Sequence, residues 1–285
     1  RLIEHGIGYW GPDQTRGGVF SGMYALPRRK SSDYQNDMRR VSDKLKEIED
    51  RGARTLVISD ENLMGSVRQN IREEVIYPQV AGRVAHALGI LDGRVRRISI
   101  SIRSLEAYWC SALAYGVERG APVPSRSKLA RIAGSARTWR DVVSDIAHAA
   151  GDVPIKVSQF ERQSGRPDAF LADMEVAHVP PVTRRVRANA APDLPGLRRA
   201  LTARGAEPDI LPFGMGRWNP FTNAEHAALR EHYADDIMWL TAGASGMASL
   251  TEDRLSERAG MNPPHKANCK GQTDEFEERH VARPG

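Results

Sequence analysis

The chain has 285 residues, 40% of them hydrophobic and 27% charged, enough to bury a substantial core in one large domain or two small ones. No apolar run approaches the roughly 20 residues that a membrane-spanning helix needs, so no membrane span is expected. The net charge of +5 and the isoelectric point near 9.3 would suit a polyanion. The basic residues, however, are scattered and accompany no reader motif, which argues against a nucleic-acid partner; a small anionic cofactor or sulfated substrate fits the charge equally well.

The two cysteines, Cys110 and Cys269, lie too far apart to read as a disulfide framework, so a reducing cytoplasm is the simpler expectation. The chain opens on Arg1, and nothing ahead of Gly6 resembles a secretory leader. Processing or a missing N-terminus is expected.

Residues 1–34 are rich in glycine, carry Pro12 and Pro27, and read as loop or short irregular structure. A helix follows. Met38, Val41, Leu45 and Ile48 recur at three- and four-residue spacing, and Gly52 stands at the C-cap position. Thr55 to Ser59 is a short β-branched run of the kind found in buried strands. A helical stretch from about Val67 to Leu91, broken near Pro78, leads to a second strand, Arg97 to Ile102, in which serine alternates with isoleucine. Leu105, Tyr108, Trp109, Ala112 and Gly116 form one stripe of a helix over 104–119. Thr138 and Asp141 form a capping pattern for a helix that buries Trp139, Val142, Val143 and Ile146 and closes at Gly151.

The third strand is Ile155 to Phe160. Beyond residue 163 the pattern is helical and proline-rich, with Pro180, Pro181, Pro192 and Pro195 marking a long connection. Thr222 and Glu225 cap a further helix that buries Leu229, Tyr233, Ile237 and Leu240. Strands separated by helical crossovers predict parallel pairing, hence an α/β fold with a parallel sheet flanked by helices. Residues 1–245 are expected to form that domain, and 246–285 a polar, disordered tail.

In such sheets ligands gather at the carboxyl ends of the strands, which here are Ser59 to Asn62, Ile102 to Ser104 and Phe160 to Arg162. Arg103 stands where its guanidinium can hold a phosphate in two bonds, or it can pair structurally with Glu106. Ser104 is a helix cap, and Ser111, seven residues on, returns to the same helix flank after about two turns.

The stretch Arg103-Ser-Leu-Glu-Ala-Tyr-Trp-Cys-Ser111 resembles the strand-to-helix element of sulfotransferases, in which a strand-end arginine and a serine eight residues later share the 3′-phosphate of 3′-phosphoadenosine 5′-phosphosulfate. Leu105 replaces the family's usual proline. Val57 to Asn62 is similar to the strand-plus-acid element of bacterial sulfotransferase-like proteins, Trp139 to Glu161 to their later helix-strand unit, and Pro220 to Leu240 to their closing helix. The resemblance spans roughly residues 1–245.

It implies a three-layer P-loop fold, the adenosine phosphosulfate as co-substrate and a carbohydrate or other small hydroxyl acceptor. Arg103 and Ser111 would hold the 3′-phosphate. Glu61 would be the base and Asp60 its rival, although both acids can instead cap the following turn. The competing expectation is a non-catalytic nucleotide- or glycan-binding protein on the same fold.

The family's lysine-containing phosphate loop has no counterpart, because Gly17-Gly18 reads as lacking both a lysine and a preceding strand. The family's first strand, loop and helix are therefore expected to be absent. Glu161 and Arg162 read as a structural pair or, as the lesser alternative, as lining of the acceptor cleft, and Trp109 and Trp139 read as core. Cys110 reads as packing rather than as a nucleophile. His226 and His232, six apart, fall on different helix faces, so no metal is expected.

Overall fold

A computed structural model describes residues 2–20, 31–182 and 191–251. Its strands are β1 (Ile7–Trp10), β2 (Thr55–Ile58), β3 (Ile98–Ile102), β4 (Ile155–Gln159) and β5 (Ser249–Leu250). Every pairing between them is parallel, and they form two sheets, β1-β2 and β3-β4-β5. Between β1 and β2 run the short helix α1 (Pro12–Gln14), a π-helical turn over Thr15–Val19 and α2 (Ser31–Asp50). Helices α3 (Val67–Glu73) and α4 (Val80–Leu91) lead to β3, and α5 (Leu105–Glu118), α6 (Arg126–Ala133) and α7 (Trp139–Ala150) connect β3 to β4. The turn α8 (Phe160–Gln163), then α9 (Pro167–Asp173), α10 (Leu194–Ala203) and α11 (Asn223–Thr241), complete the path to β5. The fold is α/β, as the alternation of elements predicts.

Apolar burial explains why these segments fold where they do. Ile100, Ile102, Ile155 and Val157 are buried in the larger sheet, and α5 lays Leu105, Trp109, Ala112, Leu113 and Val117 into the same core. Trp139, Val142, Val143 and Ile146 of α7 are buried, as their stripe predicts. A second cluster joins Trp10, Val19, Phe20, Val41, Ile90 and Leu91, with Met38, Leu45 and Ile48 of α2 packed against it. At about 1.5–3 kcal/mol for each fully buried large side chain, these two clusters are the main force holding helices on strands.

Three differences from the sequence reading are informative. Residues 7–10 are a strand, not loop. Gly6 and Gly8 disguise it, and Gly8 lets α2 pack closely, because a Cβ there would stand 2.7 Å from Ile48 Cδ1 and force that side chain to shift. Gly17-Gly18 therefore does follow a strand, separated from it by α1 and lying within the π turn. The sheet also extends past residue 245. Thr251 N donates to Val157 O at 2.8 Å, holding a β5 that is two residues long and too short to show alternation. Finally, the expected single sheet is two, and α6, capped by Ser125 Oγ accepting from Lys128 N at 3.3 Å, belongs to the β3-to-β4 crossover. Of the expected polar tail, residues 252–285 lie outside the described residues, as does Cys269.

The Thr138 cap forms only in part as read. Thr138 N donates to Asp141 at 2.8 Å, but its hydroxyl donates instead to Asp236 of α11 at 2.6 Å. That carboxylate also accepts from Trp139 N and Arg140 N, each at 3.0 Å, so α11 caps α7 across the core. The Thr222–Glu225 box forms in both directions.

Candidate functional site

The β3-β4 register pairs Ile102 with Gln159 and so sets Arg103 beside Phe160 and Glu161. The Arg103 guanidinium lies over the Phe160 ring at 5.2 Å, a cation–π distance. Its backbone carbonyl is fixed by Trp139 Nε1, which donates to it at 2.7 Å. Its Nε is buried without a hydrogen-bond partner and stands 3.8 Å from Glu161 Oε1, too far for a hydrogen bond. Arg103 is thus anchored at its backbone and stacked on a ring, while its charged end is left underused. The structural pair expected within Glu161-Arg162 is replaced by this loose contact across the strands.

Two further buried polar atoms lack hydrogen-bond partners nearby, Glu106 Oε2 on the first turn of α5 and Tyr233 Oη on α11. Gln159 stands alongside Tyr233 without completing a bond. Burial, with Glu161 and Glu106 close by, pushes the Tyr233 hydroxyl up to about 12. Burial and the facing Arg217 guanidinium pull Arg103 below the ordinary arginine value, against the attraction of Glu161 and Glu106. Buried polar atoms are nearly always satisfied. Three unsatisfied ones lie around the carboxyl ends of β3 and β4.

Arg217 reaches this region on the segment between α10 and α11. Leu194 N donates to Gly216 O at 2.8 Å, which ties the segment to α10. Cys110 Sγ contacts Asn219 Oδ1 at 3.6 Å, which ties it to α5. Burial and Glu106 push the Cys110 thiol up to about 11, against the pull of Arg103 and Arg217, so this cysteine is a poor nucleophile.

Ser111 lies on α5, half-buried, and its hydroxyl makes no hydrogen bond among the described residues. The structure places Arg103 just ahead of the N-cap of α5 and Ser111 near the middle of that helix, next to Cys110. Seven helical positions past the Ser104 cap, Ser111 is about 10 Å along the axis. No direct contact joins it to Arg103.

Glu61 lies elsewhere, at the carboxyl end of β2. It is exposed, and its Oε1 accepts from Arg16 Nη2 at 2.6 Å. Asp60 beside it is fully buried at its side chain. Asp60 accepts from Thr15 Oγ1 at 2.5 Å, from Arg16 Nη2 at 2.7 Å and from Asn62 N at 2.9 Å. The β1-β2 register, which pairs Trp10 with Ile58, brings the two segments together. Asp60 thus locks the turn after β1 and caps the turn after β2. Asp60 and Glu61 both hold Arg16 further toward its charged form. Neither acid bonds to Arg103 or Ser111.

Arg217, Glu106 and the Tyr233 hydroxyl have no signature in the sequence as site residues. In the sequence Glu106, three positions after Arg103, reads as a structural partner, and Tyr233 as core. Among the described residues no group of three His, Cys, Asp or Glu side chains is placed to hold a metal, and no helix is long and apolar enough to cross a membrane. Comparison of the chain with protein-family models, with curated proteins and with solved structures found no match.

Proposed function

We propose that this chain binds the 3′-phosphate of a phosphoadenosine nucleotide at the carboxyl end of β3, as the donor-binding part of a sulfotransferase-like protein on a P-loop-type scaffold. The observation that carries this reading is Arg103. Its backbone is fixed, its Nε is buried and unpartnered, and it stands at the carboxyl end of a parallel sheet with the Arg217 charge close enough to act on it. Ser111, with a free hydroxyl on the helix that Arg103 leads into, supports it. A phosphate dianion offers the acceptor oxygens that a guanidinium fork and a hydroxyl both lack here.

In sulfuryl transfer the acceptor hydroxyl oxygen attacks the donor sulfur, and the bond from sulfur to the phosphate oxygen breaks. The acceptor proton passes to a carboxylate, for which Glu61 is the candidate, and adenosine 3′,5′-bisphosphate leaves. The residues around β1 fit the 5′-phosphosulfate side poorly, because Arg16 commits its Nε and Nη2 to Asp60 and Glu61. That commitment favours, as a second reading, a nucleotide-binding protein that performs no transfer.

Calorimetric titration of 3′-phosphoadenosine 5′-phosphate and of adenosine 5′-monophosphate tests the first claim. The bisphosphate is expected to bind more tightly than the monophosphate, and Arg103→Ala to weaken it at least about tenfold, or ~1.4 kcal/mol. Equal binding by the variant removes Arg103 from the site. Transfer of labelled sulfate to a hydroxyl acceptor, lost in Glu61→Gln, selects the enzyme; tight binding without transfer selects the second reading.

A further inference from the structure

The contact between Glu161 and the start of α5 goes beyond ligand binding by Arg103. Ser104 is the N-cap of α5, yet its side chain makes no capping bond. Glu161 Oε1, from outside the helix, accepts instead from the cap residue's own amide, Ser104 N, at 3.4 Å while standing 3.8 Å from Arg103 Nε. One carboxylate oxygen therefore stands against both donors that an anion at this strand end would engage, the backbone amide and the guanidinium. Both distances exceed those of good charge-assisted hydrogen bonds, about 2.7–2.9 Å. Glu161 is also half-exposed and sits on α8, a turn of four residues. The contact is loose and its owner is free to rotate into water.

We propose that Glu161 is the resident counter-anion of the Arg103 site: its carboxylate holds the place of the ligand's phosphate, and binding requires it to swing away. The proposal rests on the reading of Arg103 as an anion ligand. Its consequence is selectivity. A ligand carboxylate would bring the same charge and the same two oxygens that Glu161 already supplies intramolecularly, and would displace it with no net gain. A phosphate or sulfate monoester brings a third terminal oxygen, and the phosphate a second charge, so it can engage Arg103 Nε at full hydrogen-bond distance and still reach the Ser104 amide. Glu161 thereby tunes the site against carboxylates and for phosphate-bearing ligands, at a cost in absolute affinity.

The test is a calorimetric cycle with 3′-phosphoadenosine 5′-phosphate on the full chain, Glu161→Gln, Arg103→Ala and the double variant, with thermal melting to confirm that each is folded. Glu161→Gln keeps the shape and removes the charge, and is expected to bind about two- to fivefold more tightly, the scale of a half-exposed ion pair. In the Arg103→Ala background the same substitution is expected to change affinity by less than about 1.5-fold. Unchanged or weaker binding by Glu161→Gln overturns the proposal while leaving Arg103 in the site. A gain that persists without Arg103 also overturns it, since it would report a general loss of negative charge. No binding by the unaltered chain, or equal binding by Arg103→Ala, removes the underlying reading itself.

Discussion

At the carboxyl end of β1 and β2, the buried Asp60 carboxylate takes hydrogen bonds from Thr15, Arg16 and the Asn62 amide. At the carboxyl end of β3 and β4, Arg103 Nε, Glu106 Oε2 and Tyr233 Oη are buried with no hydrogen-bond partner. Both edges hold arginine and carboxylate in the same topological position, where α/β sheets place their ligands. They differ in how fully their donors and acceptors are used. A saturated cluster stabilises the fold and has little left to offer a ligand. An unsatisfied one costs stability and keeps its groups available.

The largest expected effect lies at the saturated edge. Asp60→Ala leaves a hole at a fully buried side chain and removes an acceptor of Thr15 Oγ1, Arg16 and the Asn62 amide, and urea unfolding is expected to show a loss of about 2–3 kcal/mol with nucleotide affinity unchanged. At the other edge Arg103→Ala is expected to do the opposite. Affinity for the bisphosphate falls about tenfold, while unfolding free energy changes by only about 1 kcal/mol, because the contacts it breaks are a 3.8 Å ion pair and a cation–π stack on the exposed Phe160 ring. If both variants lose stability equally, the contrast between the two edges fails.

Alkaline pH sharpens the same contrast. The Cys110 thiol titrates at about 11 in the folded chain against an ordinary value of 9.0. The neutral thiol is the form the fold accommodates. Its contribution is complete below pH 9 and is lost as pH rises from there through 11. At pH 9.5 the loss amounts to about 1 kcal/mol, and Cys110→Ala, compared with the unaltered chain across pH 8 to 10, is expected to flatten that part of the profile. A profile indifferent to Cys110 would place the thiol in contact with water. The smallest effect belongs to Tyr233→Phe, which deletes an unsatisfied hydroxyl and is expected to raise stability by up to about 1 kcal/mol. A clear loss of stability would mean that the hydroxyl is already bonded.

The legible part of the molecule is the part governed by local periodicity. The stripe of α7 and the alternation in β3 depend on which side chain follows which, and both appear where the sequence places them. Parallel pairing follows from the crossovers. Strand β1 was hidden because the glycines at 6 and 8 read as loop, whereas Gly8 lets Ile48 of α2 approach the backbone. That reason lies 40 residues away in the chain. Strand β5 was hidden because two residues carry no period.

The site divides in the same way. Arg103 was legible as a charged residue at a strand end. Its isolation was not, since that depends on the register that puts Glu161 3.8 Å away, and on Arg217 arriving from beyond α10. Glu61 and Asp60 were legible as strand-end acids, but only the register of β1 on β2 shows that Arg16 occupies both.

The central claim, that the β3-β4 edge rather than the β1-β2 edge receives the ligand, is tested most directly by backbone amide chemical shifts during titration with 3′-phosphoadenosine 5′-phosphate. Saturable shifts centred on Arg103, Ser104, Ser111 and Glu161, with Thr15, Arg16 and Asn62 unmoved, are the predicted result. Shifts centred on Thr15, Arg16 and Asn62, with Arg103 and Ser104 silent, would contradict it.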